Sequence, residues 1–229
     1  MKLIEILKRN SVFLGLWLAT ILALTIALSV VDKGSLHMAL CDHHTSWADA
    51  IMPALSDLAN WLPYAVAVIF LIVNWRTGLF VAGSLLLSTG LVQAVKHIVR
   101  APRPLSWFAE NHPDITLPLT EGVKMNYWLS FPSGHTTTFF CLFFALSVVV
   151  TSWLASSNIQ SRTYQWVSML TQLLFFFMAA LCSYSRIYLS QHFATDVLAG
   201  MILGVISVLI AYAIILAVIR KNTNRLREK

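Results

Sequence analysis

Charge is what this 229-residue sequence lacks. Only 11% of its residues are Asp, Glu, Lys or Arg, 58% fall in the hydrophobic set, and the mean hydropathy is +0.72. A soluble domain carries about 25% charged residues, so this chain cannot cover a 25.6 kDa globule with a polar shell. That excludes an ordinary soluble enzyme and a disordered chain. Cysteine is scarce too. Three cysteines without close spacing make neither a disulfide scaffold nor a zinc pattern. Cys141 and Cys182 lie in apolar runs, as small buried hydrophobes do. Acids number 10 against 16 Lys and Arg. In a soluble protein the resulting +6 would point to nucleic acid. In a membrane protein it belongs to cytoplasmic loops beside anionic headgroups, so no nucleic-acid partner is expected. What remains is an integral membrane protein with one domain over residues 1–229.

Long apolar sequence is abundant. A hydrocarbon core of about 30 Å takes roughly 20 helical residues. Six stretches qualify: Ser11–Val31, Leu58–Trp75, Gly78–Val95, His135–Ala155, Gln165–Tyr184 and Val197–Ile219. The expected fold class is therefore all-α and polytopic, with six transmembrane helices. The first run is too long for a cleaved signal and no A-x-A-like site precedes Asp32, so it reads as an uncleaved anchor. Six spans return both termini to one side. There lie Lys2, Lys8, Arg9, Arg76, Arg162, Arg220, Lys221, Arg225, Arg227 and Lys229, most of the basic residues. The positive-inside rule makes that side cytoplasmic, with the basic tail from Arg220 to Lys229 as a topology anchor. Of the acids only Glu5 and Glu228 share it, and all seven histidines lie toward the opposite, outer face. The chemistry is expected to face outward. Trp47, Ile51, Met52, Leu55 and Leu58 recur at helical spacing with Asp49 and Asp57 on the other side, which predicts a short interfacial helix. The loop from Ala101 to Phe131 is long and proline-containing, and its part from Leu105 to Trp128 is expected to roof the outer face and to set substrate choice.

Three polar clusters interrupt the apolar pattern, and polar groups near membrane depth tend to be functional. Lys96 through Arg103-Pro104 follows the third span, Pro132-Ser133-Gly134-His135 opens the fourth, and Ser185-Arg186 through His192 to Asp196 links the last two. The span count brings all three to one face. Lys96, Arg103 and Arg186 supply cations for an anionic group, with the arginine fork suited to phosphate oxygens. Ser133 and Gly134 precede a helix start, where N–H groups meet anions. His192 and Asp196 are four apart, so on a helix the carboxylate can hold the ring N–H. A neutral imidazole held this way is a competent nucleophile, and His135 suits the general acid. No carboxylate cluster suited to Mg²⁺ accompanies them. Metal-free phosphoryl transfer is the expected chemistry, with no cofactor.

The pattern K-x6-R-P, then P-S-G-H, then S-R-x5-H-x3-D resembles the signature of the type 2 phosphatidic acid phosphatases, the PAP2 superfamily, in its membrane branch. It is complete here between Lys96 and Asp196. The resemblance implies a phosphohistidine on His192 supported by Asp196. It also implies His135 as acid and then base, and phosphate held by Lys96, Arg103, Ser133, Gly134 and Arg186 without a metal. The implied protein is a lipid phosphate phosphatase at the outer face of a bacterial cytoplasmic membrane. Its substrate is a phosphorylated membrane lipid: a lipid A phosphate, undecaprenyl diphosphate, phosphatidylglycerol phosphate or phosphatidic acid. Monoester and diphosphate remain open, as does oligomeric state. Lipid-to-lipid phosphotransfer, or lipid binding or transport without catalysis, are the alternatives.

Other features read more plainly. Asp42-His43-His44 is expected to be a solvated loop, since adjacent residues share no helix face. His97 and His112 are loop histidines, and Arg100 and Lys124 solvated interfacial charges with a possible second-phosphate or sugar role. Gly200 and Gly204 form a small-xxx-small pattern expected to serve packing within the bundle rather than dimerisation.

Overall fold

The computed structural model describes residues 3–227, with side chains through Val218. Lys2, Glu228 and Lys229 lie outside the described residues, as do the side chains of Arg220, Lys221, Arg225 and Arg227. The described residues form nine helices: α1 (Leu3–Arg9), α2 (Ser11–Val30), α3 (Lys33–Cys41), α4 (Ser46–Val73), α5 (Trp75–Val99), α6 (Pro104–Asn111), α7 (Gly134–Ser156), α8 (Ser161–Tyr188) and α9 (Ala194–Arg227). Six of them, α2, α4, α5, α7, α8 and α9, are long and apolar enough to cross a membrane. The chain is thus an all-helical integral membrane protein.

Five of the six spans are longer than their apolar runs, and α2 ends at Val30, one residue short of its run. The stretch from Trp47 to Leu58 is helical as expected, but it is not a separate element. It joins the second span in one 28-residue helix. The Thr45 hydroxyl accepts from the Ala48 N–H at the start, and no turn sequence follows to break the helix. Pro53 and Pro63 each remove a single backbone donor without ending it. At 1.5 Å per residue, α4 is roughly 42 Å long, more than a hydrocarbon core needs, so its first turns stand clear of the core. Two short helices escape hydropathy altogether. Asp32 caps α3 by accepting from the Ser35 N–H at 2.9 Å, and Pro104 starts α6 at the position where its missing N–H does no harm.

α7 is the central helix, packed by α9, α8, α5 and α4. Its face of Phe139, Phe140, Phe143 and Phe144 meets Phe13 of α2 and Phe176 of α8 in the largest buried cluster. α9 comes close enough to touch backbone. A Cβ on Gly200 would lie 2.8 Å from the Ser133 carbonyl oxygen, and one on Gly204 would lie 2.6 Å from that of Thr137. The small-xxx-small face is therefore used inside the bundle, where it fixes the height of the α7 start against α9.

The end remote from the histidines is tied by amides and hydroxyls. Asn10, at the α1–α2 break, receives Ser147 Oγ at 2.6 Å and donates to Thr151 Oγ1 at 3.1 Å. Gln172 accepts from the Val12 and Phe13 N–H groups at 3.1 and 3.2 Å. These bonds serve where hydrophobicity alone does not drive helices together.

Gly204→Val is expected to destabilise the protein by about 1–3 kcal/mol, because the added atoms meet backbone that cannot retreat. A lower thermal unfolding midpoint in detergent checks it. Gly83→Ala, which adds its methyl into open space, is the control expected to show no loss.

Candidate active site

The site is built where three chain segments end. α8 stops after Tyr188 in a Schellman motif: the Gln191 N–H returns to the Arg186 carbonyl at 3.0 Å and the Ser190 N–H to Ile187 at 2.9 Å. Ser190 takes the left-handed position usual for glycine, with φ 49°. The His192 N–H also bonds the Arg186 carbonyl, at 3.1 Å. Arg186 and His192 are therefore neighbours through one tight turn. α9 then begins, placing Asp196 one turn beyond His192.

Asp196 gathers the pieces. Its Oδ2 accepts from Ser130 Oγ at 2.5 Å and the Phe193 N–H at 3.0 Å, and stands 3.4 Å from His192 Nδ1. Its carbonyl accepts from the Ser133 N–H at 3.0 Å, which fastens the start of α7 to that of α9. Ser133 in turn caps α7. With Nδ1 turned to Asp196, Nε2 of His192 is the nitrogen free of protein partners among the described residues.

The three cations are held by neutral oxygens. Lys96 Nζ donates to the Leu129 carbonyl. Arg103 donates through Nε to the Trp128 carbonyl at 3.0 Å and through Nη1 to Gln191, to Oε1 at 3.0 Å and the carbonyl oxygen at 3.2 Å. Arg186 donates through Nη1 to Ser56 Oγ on α4, and its buried Nε has no partner. None of these three forms an ion pair among the described residues. Three cations outside any ion pair, one carrying an orphaned donor, can receive an anion. Gly134 sits beside this group, its Cβ position 3.9 Å from Lys96 Cε.

A pocket of about 330 Å³ opens over the cluster, with His135, Arg186, Ser56, Gln191, Lys124 and Asn126 among its walls. His135 reaches the pocket without any hydrogen bond among the described residues, whereas His192 lies deeper, 1% exposed. The loop after α6 forms the roof. Arg103 N–H bonds the Tyr127 carbonyl at 2.9 Å, Ser130 N–H bonds Ala101 at 3.0 Å, and Gln191 Nε2 holds the Lys124 carbonyl at 3.1 Å.

All eight residues expected from the sequence meet here: Lys96, Arg103, Ser133, Gly134, His135, Arg186, His192 and Asp196. Ser130, Ser56 and Gln191, which orient them, were not expected. Ser130 is flanked by Leu129 and Phe131, but Ser56 adjoins Asp57 and Gln191 lies between Ser190 and His192, so no local pattern sets these two apart. Lys124 and Arg100 are both exposed, as expected, and Lys124 also stands at the wall of the pocket. His44 also departs from expectation. It is not solvated but bonds Asp49 at 2.7 Å and stacks on Tyr188 at 4.3 Å. Among the described residues, no three His, Cys, Asp or Glu side chains are grouped to hold a metal ion.

Burial pushes the His192 imidazole well below its ordinary range. The carboxylate of Asp196 opposes this, and the charges of Arg103 and Arg186 add to it. The ring is therefore neutral at physiological pH. Arg103 is lowered by burial as well. Behind the turn, buried His37 touches Ser190 Oγ at 3.3 Å, and burial takes its pKa from 6.5 down to about 4.

A protein-family model described as the PAP2 superfamily matches residues 77–220, well over half of the chain. A lipid A 4'-phosphatase of Porphyromonas gingivalis is 25% identical over 166 residues, which cover 69% of this chain and 62% of that protein. The chain thus spans less than two thirds of that relative's length. Two crystal structures share the fold. Aquifex aeolicus LpxE superposes with a TM-score of 0.59 at 22% identity, covering 78% of this chain and 93% of the other. A transmembrane PAP2-type phosphatidylglycerolphosphate phosphatase from Bacillus subtilis gives 0.54 at 21% identity, covering 91% and 96%.

The buried histidines set a pH dependence. A histidine neutral in the fold and protonated when unfolded gives stability that is complete above pH 6.5 and is lost as pH falls toward its folded value. The thermal midpoint is expected to fall steadily from pH 7 to pH 5, and less steeply in His37→Gln. An unchanged slope in that variant would contradict the assignment.

Proposed function

Since the chain belongs to the PAP2 superfamily, we propose that it is a metal-independent lipid phosphate phosphatase working through a phosphohistidine on His192. The observation that carries this reading is the neutral imidazole set among three cations, none of them ion-paired among the described residues. Lys96, Arg103 and Arg186, with the N–H groups at the start of α7, hold the phosphate oxygens and stabilise the charge that grows on them. His192 Nε2 attacks phosphorus while the bond to the lipid oxygen breaks, and His135 gives that oxygen its proton. Asp196, fixed by Ser130 and the Phe193 N–H, stabilises the positive imidazole that results. A water then attacks phosphorus, His135 takes its proton, and the phosphorus–nitrogen bond breaks to release inorganic phosphate.

The whole chain acts as one domain in this reading. Its charge asymmetry supports cytoplasmic termini and a site at the outer face, in this reading that of a bacterial inner membrane. The substrate is a phosphomonoester or diphosphate of a membrane lipid. The candidates are a lipid A phosphate, as the name of the P. gingivalis relative suggests, undecaprenyl diphosphate, phosphatidylglycerol phosphate and phosphatidic acid.

The purified protein is expected to release phosphate from at least one of these lipids with EDTA present, and His192→Ala to lower that rate on the order of 10³-fold or more. Phosphate release that EDTA abolishes and a divalent metal restores would contradict the metal-free reading. Undiminished release by His192→Ala would contradict the nucleophile.

A further inference from the structure

A second, polar groove descends from the phosphate pocket into the membrane-spanning part of the bundle. It holds about 190 Å³ between α4, α5 and α7, and shares Asn60 and His135 with the pocket above. Its walls follow helical spacing. On α4, Asn60 and Tyr64 continue the row begun by Ser56, the partner of Arg186. On α5, Gln93 and Thr89 lie below Lys96, and on α7, Thr138 lies below His135. Steps of three and four residues keep each row on one helix face. At 1.5 Å per residue, Gln93 stands about 4.5 Å and Thr89 about 10 Å along α5 from Lys96.

Such residues are costly at membrane depth unless something satisfies them. Hydroxyls elsewhere in the spans return to their own backbone, as Ser84, Ser183 and Ser207 do to the carbonyl four residues earlier, each at 2.7 Å. Tyr64, Thr89, Gln93 and Thr138 make no side-chain hydrogen bond among the described residues. Pro63 deprives the carbonyl of Ala59, which also lines the groove, of its usual helical donor. A bare hydrocarbon tail leaving the phosphate pocket would gain nothing from these walls and would strip their polar groups of water.

We propose that this groove is a subsite for the acyl linkages of the substrate, the ester or amide carbonyls that follow a few bonds after the phosphate. Gln93, Tyr64 and Thr89 offer the donors, and the chains continue past Tyr64, which is 60% exposed, into lipid. The assignment rests on the phosphatase reading of the pocket above and narrows its substrate class. The substrate is an acylated lipid phosphate. A polyprenyl phosphate, which has no polar atom beyond its phosphate groups, is excluded as the preferred one.

The test compares diacyl phosphatidate, its dialkyl ether analogue, an acylated glucosamine phosphate and undecaprenyl phosphate on the full-length protein in detergent. Ester is expected to exceed ether in kcat/KM by up to roughly tenfold, the order of one lost hydrogen bond. In Gln93→Leu with Thr89→Val, that ratio is expected to fall toward one. The ratio is read within each protein, so a reduced folded fraction cancels. Faster turnover of the phosphatidate names a glycerophospholipid as the source of the linkage, and faster turnover of the glucosamine phosphate names a saccharolipid. Either supports the subsite. Equal rates on ester and ether, or undecaprenyl phosphate turned over as fast as the acylated lipids, would overturn it. Binding of the ester and ether lipids to His192→Ala separates the two proposals. Selective ester binding without turnover by the wild type would reject the phosphatase and keep the subsite, whereas equal binding would reject the subsite whatever the turnover.

Discussion

A single buried carboxylate ties together the three chain segments on which the site depends. Asp196 holds His192 and Ser130 through one oxygen and the start of α7 through its backbone carbonyl. Taking a carboxylate out of water is expensive unless its oxygens find donors. Here the donors are the groups whose placement matters, so satisfying the charge and assembling the site are the same event. Its position in the first turn of α9 adds the favourable field of a helix N-terminus. The close approach of Gly200 to Ser133 sets the distance over which these bonds form.

The cations follow a different rule. Lys96, Arg103 and Arg186 are oriented by carbonyls, an amide and a hydroxyl, acceptors that fix direction without cancelling charge. Carboxylates in the same places would hold the side chains more tightly and leave a neutral site with no attraction for phosphate. Apart from Asp196 and the pocket residue Asp57, the fold sets its acids to other uses. Asp49, for example, bonds His44, Tyr188 and the roof residue Thr120, and so fastens the roof from its outer side. Gln191 fastens it from within while aiming Arg103. Roof and cation are therefore joined through one side chain.

Much of this was legible in the sequence because the chemistry lies in short local patterns. The spacing of His192 and Asp196, the cap at Ser133 and the six apolar runs needed no tertiary information. What escaped depended on closure. Ser56 and Ser130 are ordinary serines until α4 and the loop before α7 fold over the site. α3 and α6 depend on caps rather than on hydropathy, so an apolar window passes over them. His44 looked solvated because its partner Tyr188 lies far away in sequence. The α4 row of Ser56, Asn60 and Tyr64 was visible at four-residue spacing. It stood behind the apolar positions of the same helix, which were read as an interfacial face.

The central claim is that His192 carries the phosphoryl group. Rapid mixing of the wild type with a radiolabelled lipid phosphate, quenched in alkali and digested, tests it most directly. The account predicts label on the peptide containing His192, stable to alkali, lost in acid, and absent from His192→Ala. Label on another residue, or turnover in which no protein-bound phosphate forms on a timescale competent for release, would contradict it.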